Sequence, residues 1–270
     1  MFGGFEQISF ASARLFLFIL ARCAGTVWFA PALGGADFSK LQKFAVSFLL
    51  AALVFPTVSA CVDAETVGVP LWTAGAIVLD LCGVGCEVLL GAALGLLLKV
   101  FFQGLYLAGE TIARLGGVSV SGSFDPTFGG ETTAPSSFLF WLAMAVFIVC
   151  GGLEAFLDGF LAFFTSTPPG GIFDAALIVD VFTRTLISAF VLGLRLSAPV
   201  ICTTAVVYLG VSFNGRFFSQ LNLSLVSFNL NAILTLTLLL LCIGVTCQVF
   251  QSELENFLDA LFRQGLVQDS

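Results

Sequence analysis

Apolar residues run along this chain in stretches longer than soluble helices or strands use, with short polar islands between them. A helix needs about 20 mostly apolar residues to cross the hydrocarbon core of a bilayer. Phe10 to Leu33 is one such stretch, interrupted only by Arg14 and Arg22. The turn GGADFSK (34–40) leads to a second, Lys43 to Val62, with Pro56 near its end, and DAETVGVP (63–70) is a polar connector. From Leu71 to about Leu115 the chain is apolar for some 45 residues, enough for two helices or one long bent helix. A Gly-, Ser- and Thr-rich segment, GGVSVSGSFDPTFGGETTAPSS (116–137), reads as a loop. Phe138 to Thr165 is the next span, closed by the rigid turn STPPGG (166–171). Ala175 to Phe213 follows with Pro199 inside it, NGRFFSQLN (214–222) interrupts, and Leu223 to Phe250 is the last clear span. In the tail, 251–263, Leu254, Phe257, Leu258, Leu261 and Phe262 share one helical face, which predicts a helix at a surface or against a partner.

Composition turns this pattern into a fold class. Of 270 residues, 59% are hydrophobic and 10% charged, against about 25% charged in an ordinary globular protein. The mean hydropathy of +1.07 leaves too few polar residues to cover a soluble surface. The expectation is an all-α, polytopic integral membrane protein forming a single membrane domain over 1–270. A net charge of −7 with ten scattered Lys and Arg argues against nucleic acid. His is absent, which removes the commonest general base and metal ligand, so neither catalytic nor metal-binding residues are expected and no cofactor is required. The eight Cys lie mostly within apolar runs and read as small packing residues, with a metal or disulfide role as the alternative; their spacing is not that of a zinc site. The opening MFGGFEQ has no positive n-region, so the first span is expected to stay in the mature protein.

Charges inside the apolar stretches are harder to accommodate. Asp80, Glu87, Lys99, Glu110, Arg114, Glu154, Asp158, Asp180, Arg184 and Arg195 all fall there, and each needs a partner, a cavity or a place outside the lipid. Glu110 with Arg114 and Asp180 with Arg184 are i,i+4 pairs with the acid N-terminal, the favourable order, and local neutralisation explains both. The apolar segments also come in long pairs with little polar loop, as if packed in protein rather than lipid. Lys40 and Lys43 beside the first turn, against Asp63 and Glu65 in the next connector, place 34–43 on the cytoplasmic side.

The segment 116–137 is the most unusual. Irregular backbone between membrane-depth helices is tolerated where it is buried in protein or lines a water-filled cavity, and its glycines permit the conformations a movable constriction requires. An exposed surface loop is the other reading. It is not a phosphate loop, since no GK[ST] follows the glycines. GAALG (91–95) has the spacing for close helix packing. Gln220, Asn222, Asn229 and Asn231 near the start of the last span need hydrogen-bond partners once buried.

Three blocks, RCAGTVWFAP (22–31), AGETIARLGGVSVSGSFDP (108–126) and GRFFSQLN (215–222), resemble in order and spacing the flagellar biosynthetic protein FliR and its injectisome counterpart SctT. Arg22, Pro31, Ala108, Gly109, Gly117, Asp125, Pro126, Arg216, Gln220, Leu221 and Asn222 sit at matching positions, and GGLEAFLDGFLAFFTSTPPGG (151–171) resembles the family's Gly-His helix and Pro-Gly turn. The chain departs from the pattern at Gly116, where the family has Met, at Leu153 for His, and at Ser219 for Pro. The resemblance implies an export-gate subunit of a type III secretion system in the bacterial inner membrane and flagellar basal body. FliP-like and FliQ-like subunits would build a protein-conducting pore with it, beside FlhB-like and FlhA-like components, and unfolded proteins would be its substrates. It implies a plug or gating loop carrying Gly116, Gly117, Ser119, Gly122, Phe124, Asp125, Pro126 and Phe128, and subunit-assembly roles for Arg22, Glu110, Arg114, Arg216, Gln220 and Asn222. Asp125-Pro126 and Ser227-Phe228 lean flagellar, and Gly151-Gly152 resembles injectisome members. The alternatives are an injectisome SctT-type subunit and a secondary transporter, although the hydropathy pattern shows no convincing internal repeat.

Overall fold

The computed structural model describes residues 3–34, 38–61, 74–117, 123–125, 130–170, 175–214 and 223–262. Among them the chain is all-α apart from one short ribbon. The helices are α1 (Gly3–Phe29), α2 (Pro31–Gly34), α3 (Lys40–Cys61), α4 (Ala74–Gly116), α5 (Ala134–Val149), α6 (Gly152–Ser166), α7 (Ala175–Asn214) and α8 (Leu223–Asp259). The ribbon lies between α4 and α5, where β1 (Ser123–Asp125) pairs antiparallel with β2 (Gly130–Thr132), Phe124 opposite Glu131. Five helices are long and apolar enough to cross a membrane, or six if α5 and α6 count as one broken span. The chain is a polytopic, all-α membrane protein.

Of the two arrangements the long apolar run allows, one helix is found: α4 is continuous over Ala74–Gly116, with no Pro to interrupt it. Three other expected boundaries move, each for a local reason. The span expected over 138–165 starts four residues early, at Ala134, with Thr133 extended as its cap and Pro in the first turn, where a missing N–H costs nothing. It then breaks at Cys150–Gly151, where Gly151 takes φ +73°, a left-handed conformation that Gly adopts freely. The tail does not form a separate surface helix. It continues α8, and Leu254, Phe257, Leu258, Leu261 and Phe262 are buried within the chain itself.

The described residues gather into two compact units. One comprises residues 1–99, 153–183 and 257–270, and the other 100–152 and 184–256. In the first, α1 packs on α4 through glycines. A Cβ on Gly91 would collide with the Arg22 carbonyl, one on Gly95 would lie 2.6 Å from the Thr26 oxygen, and Gly25 meets the backbone of Val88 and Ala92 in the same way. GAALG is therefore a close-approach seam, as its spacing predicts. The tail joins this unit: Phe262 packs on Phe156, 5.8 Å between ring centroids, and fills the space beside Gly159. The core of the second unit is aromatic, with Phe102 against Phe147 at 5.3 Å and against Phe140 at 6.1 Å, and Phe101 against Phe250 at 5.6 Å. Gly104 lets α4 approach the Ala189 backbone of α7.

A clamped loop between two helices

The loop after α4 leaves a stem built from both its ends. Gly116 is the last residue of α4, and Gly117, at φ +71°, turns the chain out of the helix, as glycines after helices commonly do. On the return side β2 ends at Thr132 and Thr133 caps α5. The Thr133 backbone N–H donates to Ser136 Oγ at 3.2 Å, and the Ser136 hydroxyl donates to the Thr133 carbonyl at 2.8 Å. Glu110 joins the two sides. One of its oxygens accepts Arg114 Nε–H at 3.0 Å within α4, while the other accepts the Thr133 hydroxyl at 3.2 Å across the loop. Beside this bond Gly109 lies against the backbone of Pro135 and Ser136, too close for any side chain. A hydrogen bond to a charged group contributes about 1.5–3 kcal/mol, so a single carboxylate fastens both ends of the loop.

The pair Glu110–Arg114 forms as the spacing predicts, with Arg114 largely exposed and Glu110 mostly buried. Thr133, Ser136 and the clamping role of Gly109 are additional. A Thr-x-Pro-Ser string before an apolar run signals a helix start, but only the folded chain brings Thr133 to a residue 23 positions earlier.

Neighbouring helices hold the base of the loop. The Tyr208 hydroxyl of α7 reaches the Leu115 carbonyl at 3.5 Å. Thr235 of α8 occupies the space where a side chain at position 116 would go, its Cγ2 2.6 Å and its Cβ 2.8 Å from an ideal Cβ. The departure at Gly116 thus has a local counterpart. Thr235 is fully buried and Asn231, one turn earlier, nearly so; among the described residues, Thr235 Oγ1 and Asn231 Oδ1 have no hydrogen-bond partner.

The remaining predicted residues are distributed as follows. Phe124 and Asp125 lie on β1. Ser119, Gly122, Pro126 and Phe128 of the loop, and the block Arg216, Gln220 and Asn222, lie outside the described residues. Arg22 is on α1, fully buried, in the other unit. Its Nε donates to Glu87 Oε2 at 2.6 Å and its Nη1 to the Thr167 carbonyl at 3.0 Å. The guanidinium stacks on Phe164 and Phe163, 4.6 and 5.0 Å from the ring centroids. The other Glu87 oxygen accepts the Gly170 N–H at 2.8 Å, and Gly170 takes φ +81°. The ion pair therefore ties α1 and α4 to the turn that follows α6. Arg14 pairs with Asp80 one layer away, and Arg195 with Glu253 at 2.5 Å in the second unit. Among the described residues, no group of three or more Cys, Asp or Glu is gathered so as to hold a metal ion.

This arrangement fixes and buries polar groups and anchors a loop. Its counterparts are export proteins. Residues 13–257 match the family described as bacterial export proteins, family 1. The chain is 27% identical to flagellar biosynthetic protein FliR of Caulobacter vibrioides over 248 residues, 89% of this chain and 93% of that protein. It is 28% identical to FliR of Aquifex aeolicus over 171 residues, 63% and 66% of the two chains. Secretion system apparatus protein SsaT of Salmonella typhimurium is 26% identical over 175 residues, again 63% and 66%. With the match covering all but short ends, the chain belongs to family 1 of the bacterial export proteins, the family of FliR and of type III export apparatus subunits.

Proposed function

We propose that the chain is the FliR-type subunit of a flagellar export gate in the bacterial inner membrane. There it builds a protein-conducting pore with FliP-like and FliQ-like subunits, next to FlhB-like and FlhA-like components. In this reading the chain acts as a single domain over 1–270. The flagellar reading is supported by similarity to one FliR over 89% of the chain.

Helix length supports a place in an assembly. At about 1.5 Å per residue, the 43 residues of α4 extend about 65 Å, twice the roughly 30 Å hydrocarbon core. A tilt within the usual range of 0–40° does not absorb that difference. Much of α4, α7 and α8 is then covered by other protein, consistent with the apolar side chains exposed along them, among them Leu89, Ile187, Leu240 and Leu241.

The observation that carries the reading is the clamped loop. Glu110 and Gly109 hold its ends together while its middle is rich in Gly and Ser, the construction expected of a movable constriction on a fixed rim. In this reading unfolded substrates pass the loop and the subunit performs no catalysis. A photo-crosslinking residue in place of Phe124, in cells whose export is stalled by a substrate fused to a stably folded domain, tests it. Adducts between this chain and the stalled substrate are expected; their absence, with adducts forming on a partner subunit alone, would put the channel elsewhere.

A further inference from the structure

The hairpin of α1 and α3 differs from the other long elements in a way that points to lipid. With 22 residues, α3 is about 33 Å long, the thickness of one hydrocarbon core. One of its faces is uncovered, with Leu41, Phe44, Phe48, Leu49 and Leu53 all exposed. Phe48 also touches Phe16 of α1, 5.7 Å between centroids, and Phe55 touches the same ring at 5.6 Å, so α1 and α3 form one packed unit with an apolar exterior.

The turn end of this hairpin carries what an interface requires. Lys40 and Lys43 are two of the chain's three lysines. Among the described residues neither pairs with a carboxylate, whereas Arg14 and Arg22 of α1 are both neutralised inside the chain. The Lys43 ammonium stands 5.6 Å over the ring of Trp28, which is itself half exposed. Tryptophan and lysine collect where hydrocarbon meets headgroups, and the lysine stem lies along the apolar surface while its charge reaches out. The helix start uses its own polar groups internally: Ser39 N–H donates to Gln42 Oε1 at 2.7 Å and Gln42 N–H to Ser39 Oγ at 3.3 Å. Lys40 and Lys43 are the two cations of this end of the hairpin, and Asp37 is the one carboxylate of 34–43.

We infer that the α1–α3 hairpin faces the lipid directly, and that Lys40 and Lys43 bind the phosphate headgroups of acidic phospholipids at the level of Trp28. Ammonium groups near an anionic leaflet are attracted over about a Debye length, so this turn fixes the depth of the subunit in the bilayer. The inference does not depend on the gating loop.

The test uses the chain purified with its co-expressed neighbours and placed in nanodiscs. With Trp72→Phe and Trp141→Phe, Trp28 becomes the tryptophan fluorophore of this chain, and the quenching of its emission intensity is read with lipids brominated at shallow or deep acyl positions, with a Trp28→Phe sample subtracting the partners. Quenching is expected to be strongest with the shallow bromines. A Trp28 insensitive to bromine at every depth means that a partner subunit covers the hairpin and overturns the inference. For the headgroup, phosphatidylglycerol retained after gentle delipidation is counted by native mass spectrometry against phosphatidylcholine. The Lys40→Gln, Lys43→Gln variant is expected to lose the excess of phosphatidylglycerol at unchanged complex yield. Equal retention in variant and parent removes the two lysines from the account.

Discussion

Glu87 and Arg22 show how much can rest on one buried contact. Both side chains are almost entirely inaccessible, and each holds a backbone group of the turn after α6. Removing one partner of such a pair leaves an unpaired charge in a medium that cannot solvate it, at a cost of about 3–5 kcal/mol, whereas replacing both by apolar residues is often far milder. Glu87→Ala should therefore sharply lower the yield or melting temperature of the assembled complex, and Glu87→Leu combined with Arg22→Met should recover much of the loss. A double variant as damaged as the single would show that the hydrogen bonds to Thr167 and Gly170, not the charge, carry the role. The glycines of α4 offer a second, internally controlled case. Gly91→Ala places a methyl against the Arg22 carbonyl, while Gly85 has nothing within 4 Å. Backbone cannot swing aside as a side chain can, so Gly91→Ala should cost about 1–3 kcal/mol or more. Gly85→Ala should be neutral or gain up to about 1 kcal/mol from helix propensity. Thermal unfolding of the two variants side by side checks it; equal melting temperatures would contradict the close packing of α1 on α4.

At the scale of the elements, the sequence is legible where one physical signal dominates. Long apolar runs placed α1, α3, α4, α7 and α8, and GAALG placed a close seam, because hydrocarbon length and small-residue spacing are local properties. The break at Gly151 was missed because a Gly pair inside an apolar run does not declare whether it packs or turns; Gly152 packs against Phe147 while Gly151 turns. The continuation of α8 through Gln251 was missed because polar residues such as Gln and Glu are good helix formers and stop nothing by themselves. The pairing of Thr133 with Glu110 and of Arg22 with Glu87 is tertiary and was beyond reach. That clamp carries its own prediction. Thr133→Val removes the hydroxyl that closes the stem and keeps the volume, so amide exchange over 123–137 should quicken several-fold while the complex still assembles. Unchanged exchange would mean that the Gly109 contact holds the loop ends without the hydrogen bond.

For the whole molecule, the proposed export-gate reading has the long helices and much of their exposed apolar surface covered by neighbouring subunits. Made without co-expressed neighbours, the chain should be degraded or aggregate, and pulse-chase stability with and without FliP- and FliQ-like subunits measures this. A monodisperse, protease-resistant solitary chain would favour a self-contained carrier. With neighbours present, the proposed gate depends on the loop, whose clamped ends would let its middle seal the pore. Deleting Val118 to Gly122 spares Gly117, the β1–β2 ribbon and the Glu110–Thr133 bond, and so tests the seal apart from the frame. The most direct measurement is the conductance of bilayers holding the assembled, loop-deleted complex. A steady ion leak at normal complex yield is the result predicted, and an assembled complex that stays as tight as the parent would place the seal in a partner subunit and contradict the account.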